Sequence, residues 1–212
     1  MNRPNRITSA RFKHIIGEDA LVTLVPEKRN RFGFRKVVAR TPHTKPSKDT
    51  FMRYSYAQTL AYLLFPRNFV KQVGSSIRAR THYSALKTIS ERSQRAINNA
   101  YSLKEDLREF VDHEKRLKKH SGIKKMHRKL WKVGIWVDQS PFNTGFDHKN
   151  EPVFFEIVAV NPKMLERYVL QRFKERSLRR RQCLELIGEL QAIKPYEDGW
   201  VWIHRPLESA TK

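Results

Sequence analysis

The sequence is short of several residue types on which whole classes of protein depend. A single cysteine, Cys183, stands among 212 residues, which excludes an intramolecular disulfide and a cysteine-rich zinc site and indicates a reducing compartment. No apolar run approaches the roughly 20 residues that a membrane-spanning helix needs. The first residues, MNRPNRITSARFKH, lack the apolar core of a secretory signal. These absences predict a cytoplasmic chain without a membrane span, although a basic start with Ser and Arg also fits an organelle-targeting leader.

Acidic side chains are scarce as well. Asp and Glu number 21 against 43 Lys and Arg, so the formal charge is +22. Such an excess attracts the phosphates of nucleotides, nucleic acid or an anionic membrane surface. The membrane fits least well, because no predicted helix pairs a large apolar face with its basic one beyond what a core needs.

The basic residues concentrate on two predicted helical regions. An ordinary solvated helix face, which is the alternative explanation, mixes both signs of charge. We therefore predict contacts with nucleic acid or another acidic partner in these regions. The candidate residues are Lys118, Lys119, Lys124, Lys125, Arg128, Arg179, Arg180 and Arg181.

The segment Gly134–Val158 combines short β-favouring runs with polar residues at their ends. An apolar run stops at Asp138, Asn143 follows five residues later, and a predicted hairpin delivers Glu156 thirteen positions after the asparagine. This order predicts strand, loop, strand, turn and strand. The three side chains would then lie at neighbouring strand ends, where their oxygens can converge on one cation or one hydroxyl. The alternative is an ordinary hairpin whose acids cap turns.

This pattern resembles the catalytic and metal-binding loops of the protein-kinase-like superfamily, especially its aminoglycoside and choline phosphotransferase branch. In that superfamily an acid at a strand end is followed by four residues and an asparagine, and a hairpin then leads to a metal-binding acid. The resemblance implies that Asp138 is the catalytic base, that Asn143 and Glu156 bind Mg²⁺, and that ATP donates the phosphoryl group. Glu156 stands where the family normally has an aspartate. Such chemistry needs a carboxylate for the attacking hydroxyl and hard oxygen ligands for the metal.

Elsewhere the likeness rests on the order of elements more than on residues. A Val-Val-Ala-Arg string places Arg40 where the superfamily has a lysine for the nucleotide phosphates. Arginine keeps the charge but forks differently, and a solvated arginine at a strand end is the alternative. The chain has no Gly-x-Gly-x-x-Gly, and residues 51–65 contain no acid to form the family's lysine–glutamate pair. These departures favour either a divergent active site or a non-catalytic, pseudokinase-like protein that binds nucleic acid or a ribonucleoprotein.

We expect an α+β fold of small, two-lobed, kinase-like form. Residues 1–88 are predicted to form an N-lobe of antiparallel sheet, and residues 89–212 a mainly helical C-lobe that carries the hairpin. Strands are expected at 12–16, 20–25, 34–40 and, on either side of Gly74, between 69 and 89.

Helix ends and the placement of aromatic residues can also be predicted. Asp49 or Thr50 is expected to cap a helix that runs to about residue 65. Asn161-Pro162 is expected to begin one long helix that ends near Gly188 and Pro195. Trp200 and Trp202 fit a final strand or a docking segment, and burial against the helical lobe is favoured over stacking on bases. Three histidines spaced at sevens are expected on the surface, namely His113, His120 and His127.

Overall fold

The protein is a mixed α and β chain in which every ladder between named strands of the described residues is antiparallel, as the predicted α+β class requires. The computed structural model describes residues 20–24, 37–42, 46–85, 90, 93, 96, 108–141, 143–193, 196–197 and 199–203. The strand predicted at 12–16 lies outside these ranges.

Ten strands and five helices occur within the described ranges. The strands are β1 (Ala20–Leu24), β2 (Val37–Pro42), β3 (Lys71–Ser76), β4 (Thr81–Ala85), β5 (Ile135–Val137), β6 (Thr144–Phe146), β7 (Pro152–Phe154), β8 (Ile157–Val160), β9 (Tyr196–Glu197) and β10 (Trp200–Trp202). The helices are α1 (Lys48–Leu64), α2 (Arg108–Lys119), α3 (Ser121–Val133), α4 (Pro162–Arg172) and α5 (Leu178–Ala192).

The first four strands form one sheet in the order β1-β2-β4-β3. The two strands predicted between 69 and 89 are confirmed, but the predicted break at Gly74 is wrong. Gly74 lies inside β3 at a shift of register against β4, and the chain reverses over residues 77–80. Arg80 has a φ of 51°, so a single left-handed residue closes this turn without glycine.

The segment that follows α3 builds two further sheets. Strands β6 and β7 pair as a hairpin, and β5 joins a four-stranded sheet in the order β5-β8-β10-β9. The predicted succession of strand, loop, strand, turn and strand is therefore confirmed, and so is the final strand at Trp200 and Trp202. Strand β10 pairs with β8, and β8 pairs with β5, so Trp200–Trp202 are held in the same sheet as the strand that leads to Asp138.

Capping residues explain where most helices begin. The hydroxyl of Ser47 accepts the Thr50 N–H at 3.1 Å, so α1 begins slightly earlier than predicted. Asn161 caps α4 as predicted: its Oδ1 accepts the Met164 N–H at 3.1 Å, and Pro162 stands at the first helical position, where its missing N–H costs nothing.

The single long helix predicted after Asn161 is wrong. The chain forms two helices separated by residues 173–177, and Ser177 caps the second through the Arg180 N–H at 3.2 Å. Gly188, predicted to mark the end, lies inside α5. A serine followed by a helix-forming run satisfies free N–H groups at a new helix start, and here that local preference overrides the continuous apolar periodicity.

One apolar core joins the two halves of the chain. Leu60 of α1 and Phe69 lie in the same buried cluster as Leu130, Phe154 and Leu190. Each such side chain contributes roughly 1.5–3 kcal/mol when it is fully buried. The predicted boundary at 88/89 therefore falls between segments that share a core, and the division into two lobes stays a prediction. Among the described residues, no helix has the length and apolarity to cross a membrane.

Candidate functional site

Asp138 follows β5 directly and is half-buried. Its backbone N–H donates to the Glu156 carbonyl at 3.2 Å, which holds the end of β5 beside the segment between β7 and β8. Its carboxylate accepts the Ser140 N–H at 2.7 Å through Oδ1 and the Ser140 hydroxyl at 3.1 Å through Oδ2. Two hydrogen bonds from one residue thus fix the orientation of this carboxylate.

Asn143 joins the two acids. Its backbone N–H donates to the Ser140 carbonyl and its carbonyl accepts the Phe155 N–H, so both sides of the asparagine are held by main chain. Its side-chain Nδ2 donates to Asp138 Oδ2 and to Glu156 Oε2, each at 2.7 Å. The structure therefore brings together the three side chains that the sequence places at neighbouring strand ends.

The geometry sets how close the two carboxylates are. Since both oxygens lie 2.7 Å from the same nitrogen, they are at most twice that distance, about 5.4 Å, apart. Two negative charges at this distance repel unless something positive lies between them. The amide N–H groups of Asn143 supply the positive ends of dipoles at that point.

The hairpin that carries Asn143 and Glu156 is anchored on two sides. On one side the Phe154 N–H donates to the Asn68 carbonyl, and Asn68 Nδ2 donates back to the Pro152 carbonyl, both at 2.8 Å. On the other side the Ser90 N–H donates to the Phe146 carbonyl at 2.8 Å. Phe146 and Phe154 are fully buried. The site therefore stands on a rigid support, as a preorganised site requires.

His113 corrects one expectation of the sequence analysis. It is buried, with 4% of its surface exposed, where a surface position was expected. Its Nε2 lies 3.0 Å from the Thr144 carbonyl oxygen. A carbonyl can only accept, so Nε2 carries the proton and donates. The histidine thus supports the first residue of β6, next to Asn143.

Another acid of the same hairpin has a purely local role. Asp147 Oδ1 accepts the N–H groups of Lys149 and Glu151, each at 2.9 Å. It caps a turn, which is the role that the ordinary-hairpin alternative gives to the acids of this segment. Asp138 also accepts the N–H of Ser140 in its own turn, but Asp138 and Glu156 in addition accept hydrogen bonds from the side chain of Asn143.

The donor set is suited to a hard cation. Two carboxylates and an amide offer oxygen ligands, which Mg²⁺ prefers. Within the part of the chain that the structure describes, no group of three His, Cys, Asp or Glu side chains is placed to hold a metal ion. A full protein cage is thus absent from these residues. Mg²⁺ is commonly bound through only one or two carboxylates plus substrate phosphates, so the residues present fit a metal that arrives with a nucleotide.

Arg40 lies in the sheet formed by β1, β2, β4 and β3, which is a different sheet from those whose strands flank Asp138, Asn143 and Glu156 along the chain. Its backbone stands in β2, opposite Val22 of β1 and His82 of β4. Because β2 runs from Val37 to Pro42, Arg40 lies inside the strand and not at its end. Its expected role toward nucleotide phosphates stays a prediction.

The predicted basic residues lie mainly on exposed helix surfaces. Lys118 and Lys119 end α2, and three others lie on α3, whose sequence contains no acid. Lys118 pairs with Glu114 of its own helix at 2.7 Å. In the first turn of α5, Arg180 is half-buried and directs Nη1 toward the Phe173 carbonyl at 3.4 Å, while the arginines on either side are exposed.

Sequence reasoning missed Ser140 and His113 as supports of the site. The signal for Ser140 was available, since an aspartate side chain commonly accepts the backbone N–H two residues further on. No local signal marks His113, because its partner Thr144 lies 31 residues away. The chain matches no family model and no curated protein.

Proposed function

We propose that the protein is a divergent, kinase-like phosphotransferase that moves a phosphoryl group from ATP to a hydroxyl acceptor with the help of Mg²⁺. The observation that supports this proposal best is the meeting of Asp138, Asn143 and Glu156 through two hydrogen bonds of 2.7 Å. These are the residue types that phosphoryl transfer uses, in the order that the kinase-like resemblance implies.

Asp138 orients the acceptor hydroxyl and serves as its general base. As a carboxylate it accepts the hydroxyl's hydrogen bond and aims the oxygen at the γ-phosphorus of ATP. It takes the proton as the new oxygen–phosphorus bond forms and the bond from that phosphorus to the leaving ADP breaks. Ser140 holds the carboxylate in place during this step through its N–H and its hydroxyl. General-base assistance of this kind contributes roughly 10²- to 10⁴-fold in rate.

Asn143 and Glu156 would hold the magnesium ion. When bound, Mg²⁺ supplies charge neutralisation for the nucleotide phosphates. The anchored backbone of Asn143 and the fully buried Phe154 next to the Glu156 segment keep these two ligands on one rigid hairpin. The proposal includes a nucleotide between an N-lobe of residues 1–88 and a C-lobe of residues 89–212, with Arg40 toward the phosphates.

The departures from the kinase pattern determine the expected strength of binding. Without a glycine-rich loop, and with no acid in residues 51–65 to pair with Arg40, few groups beyond the metal ligands hold the phosphates. We therefore expect weak, strongly Mg²⁺-dependent ATP affinity and slow turnover.

The test combines binding with turnover. Thermal unfolding of the full chain is measured with ATP, with Mg²⁺, and with both; a ligand at about 100 times its Kd stabilises by about 2.7 kcal/mol. For a chain of this size that corresponds to a rise in Tm of roughly 5–10 °C. Release of phosphate from radiolabelled ATP, with water as acceptor, reports turnover without knowledge of the natural substrate.

Three variants assign the roles. Glu156→Gln should lose the Mg²⁺-dependent part of ATP binding, and Asp138→Asn should keep binding but lose turnover. Asp147→Asn, which changes the turn-capping acid of the same hairpin, is the matched control and should alter neither. Absence of Mg²⁺-dependent ATP affinity in the unmodified protein would contradict the proposal. ATP binding without any turnover would instead favour the pseudokinase alternative.

A further inference from the structure

All four tryptophans of the chain lie in one cluster, although they come from three elements. Trp131 of α3 stacks on Trp200 of β10 with ring centroids 4.9 Å apart and meets the edge of Trp136 of β5 at 5.6 Å. Trp136 in turn contacts Trp202 of β10 at 5.2 Å. Trp131 is 43% exposed, and the other three are half-buried. The cluster therefore lies at the surface. Trp200 and Trp202, which were expected to be buried against the helical lobe, are only half-buried, and Trp200 stacks on the helical Trp131.

Positive side chains stand beside this cluster. Lys124, Arg128 and Trp131 are spaced by four and three residues on α3, a spacing that places them on one face of a helix. Both cations are exposed. Another face of α3 is buried through Ile123 and Leu130, whereas the face with Lys124, Arg128 and Trp131 is exposed to solvent.

We propose that this surface binds single-stranded nucleic acid, with a base stacked on Trp131 and the backbone phosphates near Lys124 and Arg128. Unpaired bases of any identity stack on aromatic rings, and neighbouring cationic side chains bind the phosphates of the same strand. The formal charge of +22 for the whole chain favours a negatively charged partner. We call Lys124, Arg128, Trp131 and Trp200 the tryptophan-lysine surface. The inference is independent of the phosphotransferase proposal.

Two other polyanions fit this surface less well. A membrane needs an exposed apolar face, yet Trp131 is the one large apolar side chain of α3 that is exposed among the described residues. Duplex nucleic acid presents phosphates but keeps its bases paired, so a ring at the surface has no base face to stack on.

The experiment uses the full chain and fluorescence anisotropy. The probes are labelled oligouridine and oligothymidine of about 12 nucleotides, a length within the range of known single-stranded sites, and a duplex of the same length. Trp131→Ala should weaken binding of both single strands by about fivefold or more. It should leave the affinity for heparin, a polyanion without bases, unchanged within about twofold, since charge alone decides that binding.

Charge variants provide the second measurement. Lys124→Gln combined with Arg128→Gln should reduce the slope of log Kd against log salt by about 1.4, since each phosphate contact contributes about 0.7 on a single strand. The matched control neutralises two exposed cations of α4, Arg167→Gln with Arg172→Gln, and should change the slope by less than half as much. Trp131→Phe keeps an aromatic ring and should retain most of the affinity, which separates stacking from a folding defect.

Several results would overturn this inference. Equal losses from the α3 and α4 charge pairs would mean that binding follows total charge and needs no local surface. A duplex bound as tightly as the single strands, or a Trp131→Ala variant that loses heparin binding in the same proportion, would exclude base stacking. Trp131-dependent sedimentation with phosphatidylserine vesicles, without oligonucleotide binding, would identify a membrane surface instead.

Discussion

Replacing Asn143 by alanine tests the physical basis of the candidate site without any assumption about its substrate. The variant removes the amide that donates to Asp138 and Glu156 at 2.7 Å each. It leaves two carboxylate oxygens within about 5.4 Å of one another. We expect the free energy of unfolding to fall because favourable hydrogen bonds are lost and an unfavourable charge pair is exposed.

The magnitude follows from these two contributions. Two unit charges 5.4 Å apart repel by about 0.8 kcal/mol at the dielectric constant of water and by about 3 kcal/mol at an effective value of 20. Hydrogen bonds to charged groups contribute about 1.5–3 kcal/mol each when buried, and less here because both acids are half-exposed to water. The expected loss is therefore about 2 kcal/mol, which corresponds to a fall in Tm of roughly 4–8 °C for a chain of this size.

Urea denaturation followed by circular dichroism measures this loss. Asn68→Ala is the matched control, because Asn68 donates one hydrogen bond of 2.8 Å to an uncharged carbonyl, so that variant should lose only about 1 kcal/mol. Adding Asp138→Asn to Asn143→Ala removes one of the two charges and should restore part of the stability. If Asn143→Ala costs no more than Asn68→Ala, or if the double variant is no more stable than Asn143→Ala, the account of the site given above is wrong.

Three further predictions concern other parts of the chain. Gly134 has a φ of +90°, and a Cβ there would lie 2.8 Å from the Asn161 carbonyl oxygen, so Gly134→Ala should destabilise the protein by roughly 1–3 kcal/mol. Gly188, in contrast, lies at an exposed helical position where a Cβ would meet nothing within 4 Å, so Gly188→Ala should stabilise the protein by roughly 0.5–1 kcal/mol. Urea denaturation measures both changes. Burial raises the pKa of Cys183 to about 11, so iodoacetamide should modify the native thiol far more slowly at pH 8 than the urea-unfolded one; equal rates would contradict the buried placement. Burial lowers the pKa of His127 below its ordinary 6.5, so the unfolded chain binds more protons and the free energy of unfolding should fall as the pH drops below about 6.5. His127→Gln should remove this part of the pH dependence. An NMR titration midpoint of His127 at or above 6.5 would contradict the prediction.

Local signals were enough to predict much of the candidate site. The alternation of short β-favouring runs and turn residues indicates the hairpin that β6 and β7 form, and it also indicates where Asp138 and Glu156 stand. Asn161 followed by proline predicted the start of α4. These predictions succeeded because caps, turns and strand ends depend on neighbouring residues, whose chemistry is visible in a short stretch of sequence.

Predictions from the sequence were wrong where one local signal competed with another or with a distant contact. The apolar periodicity after Asn161 continues past residue 172, but Ser177 caps a second helix and ends the first. Gly74 resembles a break, yet β3 accommodates it at a register shift. The histidines spaced at sevens resemble a surface row, but His113 is buried against Thr144.

The sequence by itself determined the local conformations of this protein and the presence of two acids and an asparagine in one short segment. Only the tertiary structure decided that one amide would join those acids, that α1 would share a core with residues 130–203, and that tryptophans from positions 131 to 202 would form one surface. The physical reason is that hydrogen bonds within a turn involve residues close in the chain, whereas the pairing of β10 with β8 and the packing of α3 beside them depend on contacts between distant residues. Such contacts depend on the burial of the whole core, so they cannot be predicted from a short stretch of sequence.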